Sequence, residues 1–255
     1  MTKKTILISV ATLFFATGAV QAASQRQIIP AENGIYDVSG HPSMKVRVFV
    51  HEPRLNFGKK SGSLPTCADA DSSAVVRPAG WRLPAGTWKY YLNLDSAPSS
   101  IGTSLGTLAD ASFAEWSSKT EVKNLATFQN GGPVSIFSYN LDGKNVITWG
   151  SAPSNTLAVT YIWYNRKTKV AVETDTIMNK SFLWSWTPYS SGICGIAGTY
   201  DAQNILTHEA GHWVGLDDHY TSTYRNNTMY GYGSTAEIKK DTLTKGDVAG
   251  TNRIY

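Results

Sequence analysis

The stretch HEAGHWVGLDDHY, residues 208–220, carries the side chains best suited to chemistry. His208 and His212 are four residues apart, and on a helix such positions share a face. Two imidazoles so placed can hold one metal ion, and zinc is the natural candidate. Glu209 lies one residue round the helix. There it can take a proton from a zinc-activated water without itself ligating. A catalytic zinc needs a third protein donor and keeps its fourth position open. Three candidates follow in a row: Asp217, Asp218 and His219.

A bare His-Glu-x-x-His is a common surface pattern, so its neighbours decide its weight. Gly215 follows His212 by three residues; it can adopt positive φ and turn the chain back under the metal. Asp218 stands six residues after His212, where a side chain beyond that turn can reach the ion. The flanking ILTHEAGHWVGL is amphipathic enough to be buried. Downstream, NTMYGYG (residues 227–233) sets Met229 in a Gly-flanked turn.

Together, His208-Glu209-x-x-His212-x-x-Gly215-x-x-Asp218 with Met229 downstream resembles the metzincin signature of zinc endopeptidases, H-E-x-x-H-x-x-G-x-x-H followed by a Met-turn. Among metzincins it is most similar to the matrixins, especially secreted microbial ones. The likeness extends over most of residues 81–255, through GTWKYYLN, ASFAEWSSKT, AVTYIWYN, VETDTIMN and the tail from Thr228. It implies an α+β metzincin (zincin-like) catalytic domain with a mixed twisted sheet, an active-site helix and a Met-turn.

The resemblance also implies roles. His208, His212 and Asp218 would hold Zn²⁺, Glu209 would be the general base, and Met229 would form the floor beneath the metal. Matrixins usually carry His where this chain has Asp218, but snapalysin-type metzincins use Asp there. His219, one position late, is the alternative third ligand. An edge strand near VAVETDTIMN would pair with an extended peptide substrate. Matrixins line their main specificity pocket with residues after the Met-turn, usually Pro and Tyr; here the run is MYGYGS, with Tyr232 out of register. Structural Ca²⁺ is common in such folds, and a loop like NLDGKN (residues 140–145) could serve, although such loops are far more often plain hairpin turns, and no calcium ligands are assigned.

Cys67 and Cys194 are the two cysteines. An even count in a secreted chain suggests a Cys67–Cys194 disulfide. LPTCADAD around Cys67 also faintly echoes the matrixin pro-segment motif, whose thiolate caps the zinc, so a Cys switch is the rival reading.

Elements must position these residues. DAQNILTHEAGHWVG reads as a helix capped by Asp201 and stopped by Gly215. MKVRVFV (residues 44–50), GTWKYYLNL (86–94), LATFQNG (125–131) and AVTYIWYN (158–165) read as strands. So does KVAVETDTIMN (169–179), whose polar residues suit a sheet edge or cleft. Ile101, Leu105, Leu108, Phe113 and Trp116 fall at roughly helical spacing. Residues 24–43 read as irregular, 56–73 as a loop, and SSGICGIAGTY as a Gly-rich loop.

The 255 residues, 42% hydrophobic and 16% charged, predict a packed globular chain. Lys3 and Lys4 precede an apolar run and a small-residue site ending at Ala22, the order of a secretory signal. The expected organisation is a signal peptide at 1–22, an N-terminal region and possible pro-segment at 23–80, and a catalytic domain at 81–255. No basic run argues for nucleic acid, and no later segment is apolar enough to span a bilayer. The expectation is a secreted, monomeric zinc metalloendopeptidase acting on protein or peptide substrates. The alternative is a secreted zinc-stabilised binding or adhesion module with the same fold and no peptidase activity.

Overall fold

A computed structural model describes residues 27–54, 71–188 and 195–255. The expected signal peptide, Cys67, Cys194 and most of the 56–73 loop lie outside the described residues.

The strands are β1 (Gly34–Asp37), β2 (Met44–Pro53), β3 (Gly86–Leu92), β4 (Ala126–Pro133), β5 (Asn145–Gly150), β6 (Ala158–Asn165), β7 (Ala171–Asn179), β8 (Trp184–Ser185), β9 (Tyr200–Asp201) and β10 (Tyr232–Gly233). The α-helices are α1 (Leu105–Lys119), α2 (Ala202–Trp213) and α3 (Lys245–Thr251). Eight strands form one sheet in the order β1-β2-β6-β7-β5-β3-β4, with β10 alongside β2, while β8 and β9 pair separately. The sheet is mixed: β3 runs parallel to β4 and β5, and β5 parallel to β7, whereas β6 is antiparallel to both β7 and β2. The architecture is mixed α/β with few helices.

Two cores lie on opposite faces of this sheet. The larger packs β3, β5 and alternate residues of β6 against α1 and α2, with Trp88, Tyr90, Trp149 and Ile162 from the sheet meeting Phe113, Trp116 and Trp213 from the helices. In α1 the buried residues Leu105, Leu108, Ala109, Ser112, Phe113 and Trp116 recur at three and four, the stripe an amphipathic helix requires. The smaller core joins Val46, Val48 and Val50 of β2 to Val159, Tyr161 and Trp163 of β6. Strand periodicity then sends Phe49 and His51 to the other face, towards α2.

The structure corrects two expectations. KVAVETDTIMN is no edge strand: β7 is hydrogen-bonded on both sides, to β6 and to β5. Its polar residues are buried because each has an internal partner, Thr176 with Thr160, Thr174 with Asn145, and Asp175 with the backbone N–H of Asn140 and Val146. Over Thr176–Asn179 a substrate therefore has no free β7 edge to join. Within residues 24–43, expected to be irregular, Gly34–Asp37 forms β1 against β2. Moreover β2, which precedes the expected domain start at Trp81, is paired along most of its length to β6.

Candidate metal centre

The helix carrying the motif is placed by its ends. Asp201 caps α2, its Oδ1 accepting the Asn204 N–H at 3.1 Å. At the other end Gly215 has φ +98°, and a Cβ there would collide with the Trp81 carbonyl oxygen, so only glycine allows the sharp turn. The turn carries Leu216 and Asp218 back beneath His212. Every residue of α2 is buried.

Each histidine is oriented by a carbonyl. His208 Nδ1 lies 2.7 Å from the Thr228 oxygen, and His212 Nδ1 lies 2.9 Å from the Leu216 oxygen. A carbonyl only accepts, so both Nδ1 atoms carry the proton and both Nε2 atoms present a lone pair. The two Nε2 atoms converge on Asp218 Oδ1, at 3.1 Å from His208 and 3.6 Å from His212. Asp218 Oδ2 is held apart by the Tyr220 hydroxyl at 3.1 Å. Met229 sits in the following turn, fully buried, its sulfur packed on Gly211 of α2 where any Cβ would clash.

These atoms lack hydrogen-bond partners: His208 Nε2 and Asp218 Oδ1 are buried and unsatisfied. Burial holds His208 well below the usual imidazole range and pushes His212 down to about 3, so both are neutral and cannot donate from Nε2. Lone pair thus faces lone pair across 3.1 Å, an arrangement that a cation resolves. In tetrahedral zinc with bonds near 2.0–2.1 Å, neighbouring donors stand about 3.3 Å apart, matching the separations here. The set His208, His212 and Asp218 could hold a metal ion.

His219 lies elsewhere. Its Nε2 accepts the Arg77 backbone N–H at 2.9 Å, and its ring stacks on Tyr224 at 3.9 Å. Asp217 points instead towards Arg47, 3.6 Å away.

Glu209 is fully buried beside the donors and has both oxygens engaged. Thr160 donates to Oε2 at 2.6 Å, and is itself linked to Thr176, which accepts from the Trp213 indole. His51 Nδ1 lies 3.0 Å from Oε1. Burial raises the Glu209 carboxyl to about 8, the Thr160 hydrogen bond opposing it. A cation on the adjacent donors would bring it back down.

Sequence reasoning missed three partners of this site. His51, from β2, reaches Glu209 and packs its ring 4.0 Å from that of His208. It forms a second group of potential metal donors with His208 and Glu209. Lys240 is fully buried; its ammonium donates to the Tyr230 and Tyr232 carbonyls and to His51 Nε2, the last at 3.1 Å. Thr160 is the third. The available signal was slight: His51 is one of only five histidines and sits where the alternation of β2 turns it inwards. Nothing local marked Lys240.

The calcium suggestion at 140–145 finds a different arrangement. Glu173 accepts backbone N–H from Asp142 and Gly143, and Asp142 accepts from Lys144, so these carboxylates close a turn by hydrogen bonds. Among the described residues, this loop is not a place where three His, Cys, Asp or Glu donors converge. Nor, among them, is any helix long and apolar enough to cross a membrane. No protein-family model matches the chain, and no curated protein matches it either.

Proposed function

We propose that this chain is a secreted zinc metalloendopeptidase of the metzincin, matrixin-like kind, with Glu209 as general base. The observation that carries it is the convergence of His208 Nε2, His212 Nε2 and Asp218 Oδ1, two of them buried without a partner, next to the Glu209 carboxylate that Thr160 and His51 hold in place. Two imidazoles and one carboxylate oxygen form a donor set that zinc accepts, and a redox-inactive ion suits hydrolysis. Export is supported by the order of charges and apolar residues in 1–22.

Zinc held there would polarise the scissile carbonyl and acidify a water. The remaining work falls to side chains. Glu209 takes the proton of the attacking water at Oε1 and returns it to the leaving amine, while Thr160 fixes Oε2 and so aims the other oxygen. The Thr228 and Leu216 carbonyls keep both imidazoles in the ligating tautomer. Met229 fills the space beneath α2 so that the helix cannot sink away from Asp218.

One observation favours the second reading, a zinc-stabilised binding module: the donors are 0–5% exposed. Cleavage of casein by wild type and by Glu209→Ala, with zinc quantified in both, separates them. If both hold one zinc and only wild type cuts, the peptidase reading stands. Zinc in both with no cleavage by either moves the binding module forward.

A further inference from the structure

The strand that closes the metal centre is itself a peptide in an extended conformation. From Met44 to His51, β2 runs antiparallel to β6. At its end it also runs parallel to β10, with Glu52 opposite Tyr232 and Pro53 opposite Gly233. The His51 carbonyl accepts from Leu157, and Arg54 donates to Gly233 at 2.7 Å. The strand is therefore held by main-chain hydrogen bonds on both sides, by β6 along Met44–His51 on one and, on the other, by β1 opposite Lys45–Val48 and β10 opposite Glu52 and Pro53. That is how proteins bind an extended peptide without regard to most of its side chains.

Two side chains of this strand straddle the donors. Phe49 lies flat on the His212 ring, 3.7 Å away with 6° between planes. His51 meets Glu209. The donors are at most 5% exposed, and Phe49 and His51 of β2 lie directly against His212 and Glu209, so a peptide approaching Glu209 from this side would take the place of β2.

The side chain in the His51 position then enters a defined pocket. Glu209 and His208 form one wall. Gly233 forms another; a Cβ on it would lie 3.3 Å from His51 Nε2 and closer still to Leu157 and Ile205. Lys240 closes the base. An ammonium has three hydrogens; the Tyr230 and Tyr232 carbonyls take two, and the third points at His51 Nε2. That nitrogen must accept, so Nδ1 carries the proton and donates to Glu209. The pocket thus asks for a neutral side chain with an acceptor at its far end and a donor nearer the wall. Histidine supplies both, and so does the amide of glutamine. Leucine supplies neither and would leave a buried ammonium hydrogen without a partner.

We propose that the slot between β6 and β10 is the peptide-binding slot of this protein, with β2 as its resident occupant, and that Lys240 determines specificity by selecting a histidine- or glutamine-like side chain at the position His51 fills. The cleavage of such peptides rests on the peptidase reading above; the recognition does not.

The test is hydrogen exchange at the β2 amides, residues 44–53, in the full-length protein. His51→Leu should speed exchange about tenfold or more, the effect of one unpaired buried donor. His51→Gln should stay within about threefold of wild type, since the amide restores both hydrogen bonds. Lys240→Met, which also strips the donor from the Tyr230 and Tyr232 carbonyls, should speed exchange clearly in wild type but much less when added to His51→Leu, because leucine has already broken the bond to Lys240. This non-additivity and the Gln variant guard against simple misfolding, which would produce neither result. Equal exchange in the Leu and Gln variants, or an equal effect of Lys240→Met with and without His51→Leu, overturns the proposal. Casein turnover, read on the same samples, should rise in His51→Leu as the slot opens. Exchange that follows the expected pattern without turnover by any variant supports the slot and sinks the peptidase reading. Turnover that ignores residues 51 and 240, with exchange unchanged, does the reverse.

Discussion

His208 Nε2 and Asp218 Oδ1 face each other across 3.1 Å, both buried and neither with a hydrogen-bond partner. Removing the cation that would separate them should therefore cost stability as well as activity. Each tenfold excess of free zinc over its dissociation constant adds about 1.4 kcal/mol to the folded state. A chelator should lower the melting temperature, and added zinc should restore it. An unchanged melting curve in excess chelator, with zinc shown to be absent, would count against a metal centre.

Glu209→Gln should keep one zinc per chain and lose activity about 10²- to 10⁴-fold, the usual worth of a general base. Gln retains an acceptor for Thr160 and so preserves the local shape. Zinc content and turnover on one preparation decide it; retained activity would remove Glu209 from the chemistry.

His219→Ala should leave zinc stoichiometry intact while destabilising the fold by roughly 1 kcal/mol, since it removes the acceptor of the Arg77 N–H. Asp218→Ala should do the opposite, with loss of zinc as the main effect. Metal analysis of the two variants side by side distinguishes ligand from support.

Gly215→Ala should destabilise by more than about 1 kcal/mol, because φ +98° is unfavourable for any Cβ and this one also meets Trp81. Zinc affinity should fall with it, as the Leu216 carbonyl that orients His212 moves. Denaturant unfolding and zinc titration read the two effects separately.

Burial raises the Glu173 carboxyl from 4.5 to about 7, against the pull of the Asp142 and Gly143 amides, and holds Asp175 well above its ordinary range. A raised carboxyl binds its proton more tightly in the folded state, so its contribution is complete below the unfolded value and is lost as pH rises through the folded one. Stability of wild type relative to Glu173→Gln should therefore decline between pH 4.5 and about 7 and level off above. Urea midpoints of the two proteins across that range give the difference directly; a flat difference would show that Glu173 is not proton-linked to folding.

How much of this was legible in the sequence follows from how local each signal is. The α2 boundaries were readable because Asp201 and Gly215 act on their own turns. AVTYIWYN was readable as β6 because a buried β-branched and aromatic run has few alternatives. The position of β7 was misjudged because Glu173, Thr174, Asp175 and Thr176 look like solvent-facing residues until their partners, all distant in sequence, are placed. His51 and Lys240 escaped for the same reason: they are separated from each other by 189 positions and meet only once β2 and β10 are side by side.

The carboxylate of Asp247, in α3, gathers the Thr228, Met229 and Thr244 backbone N–H groups. Thr228 is the residue whose carbonyl orients His208. A nascent chain meets these requirements in a fixed order. The two histidines and Asp218 are made first, and the group that steadies their turn arrives last. A polypeptide truncated before Asp247 would carry His208, His212 and Asp218 yet lack the carboxylate that holds the turn orienting His208.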